Sequence, residues 1–331
     1  MPEKVAVIGS NSFSGAYFIN FLLQRNIQVM GISRSPEPAD VFLPYKWDVA
    51  NGKLFEFNRL DLNHDLKKLM DKINSFKPNY IVNFAAQSMV AESWQHPEHW
   101  YQTNVVATIK FHDKLRKLDF IKRYVHVSTP EVYGNCEGVV KESSCYNPST
   151  PYAVSRAATD MSLMSFFKAY NFPVIFTRAA NVYGPGQQLY RIIPRTILYF
   201  LTGRKLELHG GGESLRSFIH MRDVSDGTLT ATLEAEPGEI FHFSTEENVS
   251  IRSLVELIAE KLKVPFEEHV DIVEERLGQD SAYLLDSSKA KKILKWENKT
   301  TLERGVDETI VWVRNNLNEL LNQPFDYIHK L

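Results

Sequence analysis

Residues 4–23 read KVAVIGSNSFSGAYFINFLL. Lys4 to Ile8 is a short apolar run rich in β-branched residues that stops at Gly9, and Ala16 to Leu23 places apolar residues at helical spacing. Between them lies GSNSFSG. A strand, a tight loop of small residues and a helix start form a phosphate cradle, because backbone N–H groups and the helix N-terminus point at the anion. Gly9 and Gly15 take the first and last glycine places of a G-x-x-G-x-x-G loop, Ser12 stands at the middle one, and Asn11 and Phe13 complete the loop.

The same alternation continues outward. Strands are predicted over Ile27 to Ile32, Leu54 to Leu60 and Tyr80 to Ala86, with a helix over Asp65 to Phe76 that Pro78 and Asn79 end. A further strand, Arg123 to Ser128, follows a helix containing Asn104, and another runs from Pro173 to Arg178. Strand and helix in turn predict an α/β fold of Rossmann type, a doubly wound parallel sheet with its ligand at the carboxyl ends of the strands. Ser33, Arg34 and Ser35 end the second strand where an acidic residue usually meets the ribose hydroxyls of NAD, so an arginine beside hydroxyls leans toward the 2′-phosphate of NADP.

After Arg178 the character changes. NVYGPGQ, a helix begun at Pro194, the glycine turn 210–212 and RSFIHMRDV replace the regular alternation, and helices are predicted over Ile251 to Leu262 and Leu302 to Asn315. The division that follows is a dinucleotide-binding domain over residues 1–181 and a smaller substrate-binding lobe over residues 182–331, partly interleaved with the first.

A second stretch carries proton chemistry. Residues 126–134 read HVSTPEVYG and residues 151–156 read PYAVSR, which places Thr129, Glu131 and Tyr152 as groups able to hold or move protons. Arg156 lies four residues beyond the tyrosine, on the same helix face, where its charge is expected to lower the phenol's pKa toward neutral pH.

Composition narrows the functions. With a formal net charge of -2 over 331 residues, there is no basic field for nucleic acid, so any anion site must be built locally. No run approaches the apolar length of a membrane span, and the first residues lead straight into a strand rather than an export signal. Cys136 and Cys145 share one loop and form no metal-ligand cluster with nearby histidines, so a reduced cytoplasmic protein without a metal is expected, with one local disulfide left open.

Taken together, GSNSFSG, Asp61-Leu62, NFAAQS, Thr103-Asn104-Val105, HVSTPEVYG, PYAVSR, RAANVYGPGQ, RSFIHMRDV and RLGQD resemble, in order and spacing, the extended short-chain dehydrogenase/reductase family, in its nucleotide-sugar epimerase and dehydratase branch. The resemblance implies cofactor contacts from Asp61, Leu62, Ala85, Ala86, Gln87, Asn104 and Ser128 besides the first loop, Ser33, Arg34, Tyr152 and Arg156. It implies sugar-nucleotide contacts from Ser88, Thr129, Asn181, Arg216 and Arg276, with Arg191 added, and places His209 and His242 near the nucleotide base. Glu131 favours a 4,6-dehydratase over an epimerase, because the dehydratases of the branch carry a glutamate at that place. dTDP-glucose is the first substrate expected and GDP-mannose the next.

The resemblance further implies internally recycled NAD or NADP and a homodimer formed through helices near Trp94 to Leu118 and Tyr152 to Tyr170. Three departures stand out: Pro130 where an aspartate often serves as acid, Arg156 where lysine is usual, and Met89 where histidine is common. An NDP-sugar 4-epimerase and a non-catalytic cofactor-binding protein on the same scaffold are the alternatives.

Overall fold

The computed structural model describes residues 3–48, 53–135, 138–274 and 284–330. Its centre is a seven-stranded parallel sheet built from β1 (Lys4–Ile8), β2 (Gln28–Ser33), β3 (Phe55–Arg59), β4 (Tyr80–Asn83), β5 (Arg123–Val127), β6 (Val174–Ala179) and β7 (Ile240–Phe243). In space the order is β7-β6-β5-β4-β1-β2-β3, and every neighbouring pair is parallel. The order reverses at β1, which leaves a crevice beyond the carboxyl ends of β1 and β4, the switch point where doubly wound sheets take their ligands.

β1, β4 and β6 are buried along most of their length because both faces of the sheet are covered by helices. On one face α1 (Phe13–Leu23) packs beside the helix Met221–Glu234. On the other, α2 (Leu66–Phe76), the helix Thr108–Leu115 and α5, the long helix Pro151–Tyr170, supply Leu69, Ile73, Phe111, Leu115 and Leu163 to a second core. Taking the intervening helices in chain order, α3 is Pro97–Trp100 and α4 is Thr108–Leu115.

β7 belongs to the sheet although it lies far along the chain. Its register with β6, Ile240 opposite Phe176 and Phe243 opposite Ala179, returns the later part of the chain to the central sheet. The remainder of that part gathers its own apolar cluster from Ile193, Ile197, Leu198, Leu254, Ile258, Val306 and Val313. The helix expected to start at Pro194 begins two residues earlier, at Ile192, with proline inside the first turn, where no intrahelical donor is lost.

Among the described residues, no helix is long and apolar enough to cross a membrane. Cys145 is an exposed free thiol, and Cys136 lies outside the described residues.

Candidate active site

The first loop is tight. Gly9 adopts φ +84°, in the left-handed region, and a Cβ there would lie 2.6 Å from Ala85 N. A Cβ on Gly15 would lie 2.2 Å from Gly9 O. Ser12, at the place of the middle glycine, has φ -73° and needs no glycine. Its Oγ accepts from Gly15 N at 3.0 Å and donates to Gly9 O at 2.7 Å, so the hydroxyl caps α1 and holds the loop closed. Asn11 Nδ2 donates to Ser35 O and Pro36 O, both at 2.9 Å, tying the loop after β2 to the cradle. A glycine-lined turn at a capped helix N-terminus fits the diphosphate of a nicotinamide dinucleotide.

The end of β4 is fixed from behind. Asn104 Oδ1 accepts from Gln87 N at 2.8 Å, and its Nδ2 donates to Gln87 O at 3.0 Å and to Ser155 Oγ at 2.9 Å. Asn104 lies in a π-helical segment, Tyr101–Ala107, and is buried. The wider turn of the π-helix marks a local functional adjustment, here one that clamps both backbone groups of Gln87. Asn104 therefore positions the Ala85-Ala86-Gln87 wall from the rear. Asp61 is occupied locally, accepting from Asn63 N at 2.8 Å, while Leu62 is buried and Ser88 is exposed.

The proton-handling groups come together past β5. Thr129 is the N-cap of a one-turn helix, Pro130–Tyr133, with its Oγ1 accepting from Glu131 N at 3.4 Å. Pro130 occupies the first position of that turn, where its missing N–H costs nothing. Thr150 caps α5 through Ala153 N at 3.1 Å, and Pro151 follows it, so that Tyr152 enters the helix directly facing the end of β5. Tyr152 is buried, hydrogen-bonds Thr129 and feels the charges of Glu131, Arg156 and Arg191.

Those influences correct one expectation. Burial first, and the negative charge of Glu131 second, push the Tyr152 phenol up to about 12, against the lowering effects of Arg156, Thr129 and Arg191. Arg156 does not bring the phenol to neutral pH, because its guanidinium is turned inward: Nη2 donates to Val127 O and contacts His126 Nε2 at 3.2 Å.

Beneath the site lies a buried polar network that the motifs alone did not announce. Asp160, one turn beyond Arg156 on α5, accepts from Arg178 Nη2 at 2.8 Å and from Ser128 Oγ at 2.6 Å, and lies 3.5 Å from His126 Nε2. Ser128, expected at the cofactor, thus directs its hydroxyl to Asp160. Arg178 also reaches Tyr146 Oη at 2.8 Å, and Tyr124 Oη bridges His112 Nε2 at 2.7 Å and Asn83 Nδ2 at 2.8 Å. Burial, followed by the Arg156 charge, lowers His112 to about 3 and holds His126 well below its usual range. The helix-face argument that joined Tyr152 to Arg156 would have reached Asp160 if carried four residues further.

The residues expected at the sugar nucleotide are less uniformly placed. Asn181 pairs with Phe218 between two short strands, and Arg216, buried, donates to Leu215 O at 2.7 Å. Arg191 is exposed at the N-cap of the helix Ile192–Leu201, and half-buried His209 pairs through Nδ1 with Glu274 O at 3.0 Å. His242, which the resemblance places near the nucleotide base, has no exposed surface here. It lies within β7, fully buried, contacts Tyr133 Oη at 2.8 Å and is lowered to about 3 by burial and then Arg178. Met89 is half-buried, and Arg276 lies outside the described residues.

The parallel sheet, the glycine cradle at β1 and the Thr129, Glu131 and Tyr152 cluster past β5 define a dinucleotide-binding enzyme of the extended short-chain dehydrogenase/reductase class. Within it, the chain belongs to the family described as GDP-mannose 4,6 dehydratase, which matches residues 7–309. It is 30% identical over 327 residues to mouse (Mus musculus) dTDP-D-glucose 4,6-dehydratase, covering 97% of this chain and 91% of the relative. The solved dTDP-glucose 4,6-dehydratase of Streptomyces venezuelae with NAD bound superposes with a TM-score of 0.86 at 27% identity, covering 96% of this chain and 98% of that one. The UDP-glucose 4-epimerase of Thermotoga maritima, solved with UDP-glucose, follows with a TM-score of 0.85 at 25% identity, over 95% and 99% of the two chains.

Proposed function

We propose that this protein dehydrates a nucleoside-diphosphate hexose across C5 and C6, with dTDP-glucose as first substrate and GDP-mannose next. The observation that carries the reading is Glu131 beside the hydrogen-bonded pair Thr129 and Tyr152, close enough for its charge to act on the phenol. An epimerase needs only the pair. A second base so near is what removal of the C5 proton requires.

In the proposed reaction Tyr152 takes the proton of the C4 hydroxyl and Thr129 hydrogen-bonds the same oxygen. A bound nicotinamide supplies the hydride acceptor for C4 and later the hydride donor for C6, so the dinucleotide ends each turnover oxidised. The C4 ketone acidifies the C5 proton, which Glu131 removes. With proline at position 130, Glu131 also delivers a proton to the departing C6 hydroxyl, and water is lost. As hydride reaches C6, C5 regains a proton, and the proton that Tyr152 took from the C4 hydroxyl balances it, so the product is a 4-keto-6-deoxy sugar nucleotide and both bases are reset.

NAD is our choice of cofactor over the NADP that Ser33 and Arg34 suggested. Arg34, the group that would meet a 2′-phosphate, donates to Lys330 O at 3.1 Å and reaches Gln87 Oε1 at 3.5 Å. Residues 1–181 are assigned to the dinucleotide and 182–331 to the sugar nucleotide, with β7 as the interleaved element. Asn181, Arg191, Arg216 and Arg276 are assigned to the diphosphate. A homodimer through the π-helical and α5 surfaces is also proposed, supported by the exposure of Trp94, Tyr101, Val106, Val154 and Met161 there.

The test is proton NMR of the protein incubated with dTDP-, GDP-, CDP- and UDP-hexoses, with NAD and NADP supplied separately. A new C6 methyl doublet beside a C4 keto or hydrated-keto carbon is the expected result. Inversion at C4 without a methyl signal would replace the dehydratase by the 4-epimerase. Silence across the panel would favour the non-catalytic reading.

A further inference from the structure

A cluster of side chains able to ligate a metal, none of them among the proton-handling groups, lies around α3. The sequence there is HPEHW, residues 96–100. His96, Glu98 and His99 each offer one ligand atom, and the three atoms lie within 4.8 Å of one another. His96 Nδ1 is 3.7 Å and His99 Nε2 is 3.6 Å from Glu98 Oε1. Ligands held at 2.0–2.1 Å around a tetrahedral zinc stand roughly 3.3–3.4 Å apart, so rotations of exposed His96 and Glu98 and of half-buried His99 bring the set from its present spacing to that one.

A fourth residue orients this set from the far end of the chain. His329 Nε2 lies 3.0 Å from His99 Nδ1, and its ring stacks on Trp100 at 5.2 Å with a 2° interplanar angle. If His99 Nδ1 carries the proton and donates it to His329, the lone pair of His99 falls on Nε2, the nitrogen facing Glu98. Metal-bound histidines are oriented by this kind of outer hydrogen bond. Tyr327 Oη in turn lies 3.5 Å from His329 Nδ1.

We propose that His96, Glu98 and His99 bind one divalent transition metal of the zinc class, with water in the fourth position and His329 as the outer partner that orients His99. The consequence reaches the cofactor crevice through the next residue. Lys330 O accepts from Gln87 Nε2 at 2.7 Å and from Arg34 Nη2 at 3.1 Å, while further back Arg195 Nη2 holds Phe325 O at 2.6 Å and Asp326 Oδ1 at 2.7 Å. The carboxyl-terminal segment thus spans from the second lobe to the ends of β2 and β4, and the metal fastens it there. The proposal does not depend on which sugar nucleotide the enzyme uses.

The test is titration of the full-length, untagged protein with zinc by calorimetry and with cobalt by visible absorption, alongside amide hydrogen exchange over residues 325–330. Expected are saturable one-to-one binding, the intense visible bands of tetrahedral cobalt, and slower exchange in the segment when zinc is present. H96A/H99A should abolish all three, and E98Q should weaken binding. H329A should weaken it about 10- to 100-fold, the usual cost of losing an outer partner. These side chains are exposed or half-buried, so the variants are expected to fold, and circular dichroism checks that. Absence of saturable binding, or binding unchanged in H96A/H99A, would overturn the site. Binding that leaves segment exchange unaltered would overturn its link to the tail.

Discussion

Replacing Glu131 by glutamine separates the two proton transfers assigned to this site, because it should move them in opposite directions. The Tyr152 phenol stands at about 12. At pH 8 the phenolate is then about one part in 10⁴, and each unit by which the pKa falls raises that fraction tenfold. Glu131 is the second cause of the elevation after burial, so its neutral isostere lowers the phenol's pKa and shifts the pH profile of C4 oxidation toward lower pH. Removal of the C5 proton loses its base and should fall about 10²- to 10⁴-fold. In single-turnover experiments with Glu131→Gln and bound NAD, near-ultraviolet absorbance should show reduced nicotinamide forming at an undiminished rate and then persisting, while NMR shows almost no C6 methyl product. Dehydration within tenfold of the wild type, or C4 oxidation slowed as much as dehydration, would refute the assignment of the second base.

Three other outcomes follow from the same geometry. Gly15→Ala sets a Cβ 2.2 Å from a backbone oxygen, so it should destabilise the protein by about 1–3 kcal/mol and weaken NAD binding, read from thermal unfolding with and without the dinucleotide. Asp160→Asn leaves the buried Arg178 without its counter-charge and should cost about 3–5 kcal/mol in urea unfolding, the usual penalty for breaking a buried pair, even though no atom of Asp160 touches substrate in the proposed reaction. Acid should destabilise the fold through His112, His126 and His242, whose folded pKa values lie far below the ordinary 6.5. Since the unfolded chain binds these protons first, stability is retained above pH 6.5 and lost as pH falls below it. At pH 5.5 His112 and His242 together account for roughly 3 kcal/mol, and His126 acts in the same direction, measurable as a fall in the urea midpoint between pH 8 and pH 5.5.

The parallel sheet was legible because its signals are local. Lys4 to Ile8 is a strand with the same ends in sequence and structure, and Lys77, in the left-handed conformation, ends α2 just before Pro78. β7 was harder to read: Ile240–Phe243 is four residues long and carries a histidine, and only its pairing with β6 makes it part of the sheet. At the site, side-chain type and spacing pointed to Thr129, Glu131 and Tyr152, but not to the direction a long side chain takes. Arg156 sits on the expected helix face and still turns toward Val127 O and His126, because the strand end offers partners that a helix periodicity cannot display. The His96, Glu98, His99 and His329 cluster was invisible for another reason: its outer member lies 230 residues from His99.

The elevated phenol bears on the order of events within the proposed reaction. A base of higher pKa is rarer at a given pH, yet each molecule of it takes a proton more strongly. Glu131 therefore makes the Tyr152 phenolate scarce and avid at once, and the repulsion between the two charges ends when Tyr152 accepts the C4 hydroxyl proton. That relief favours the first transfer and leaves Glu131 as the remaining base when the C5 proton becomes acidic. Arg156, bonded to the strand end, favours the phenolate through its charge without a direct hydrogen bond to the phenol among those described. In the proposed reaction the like-charge pair thus sets the sequence of the transfers, while Asp160, on the same helix as Tyr152, is bonded to Arg178 and Ser128 beneath it.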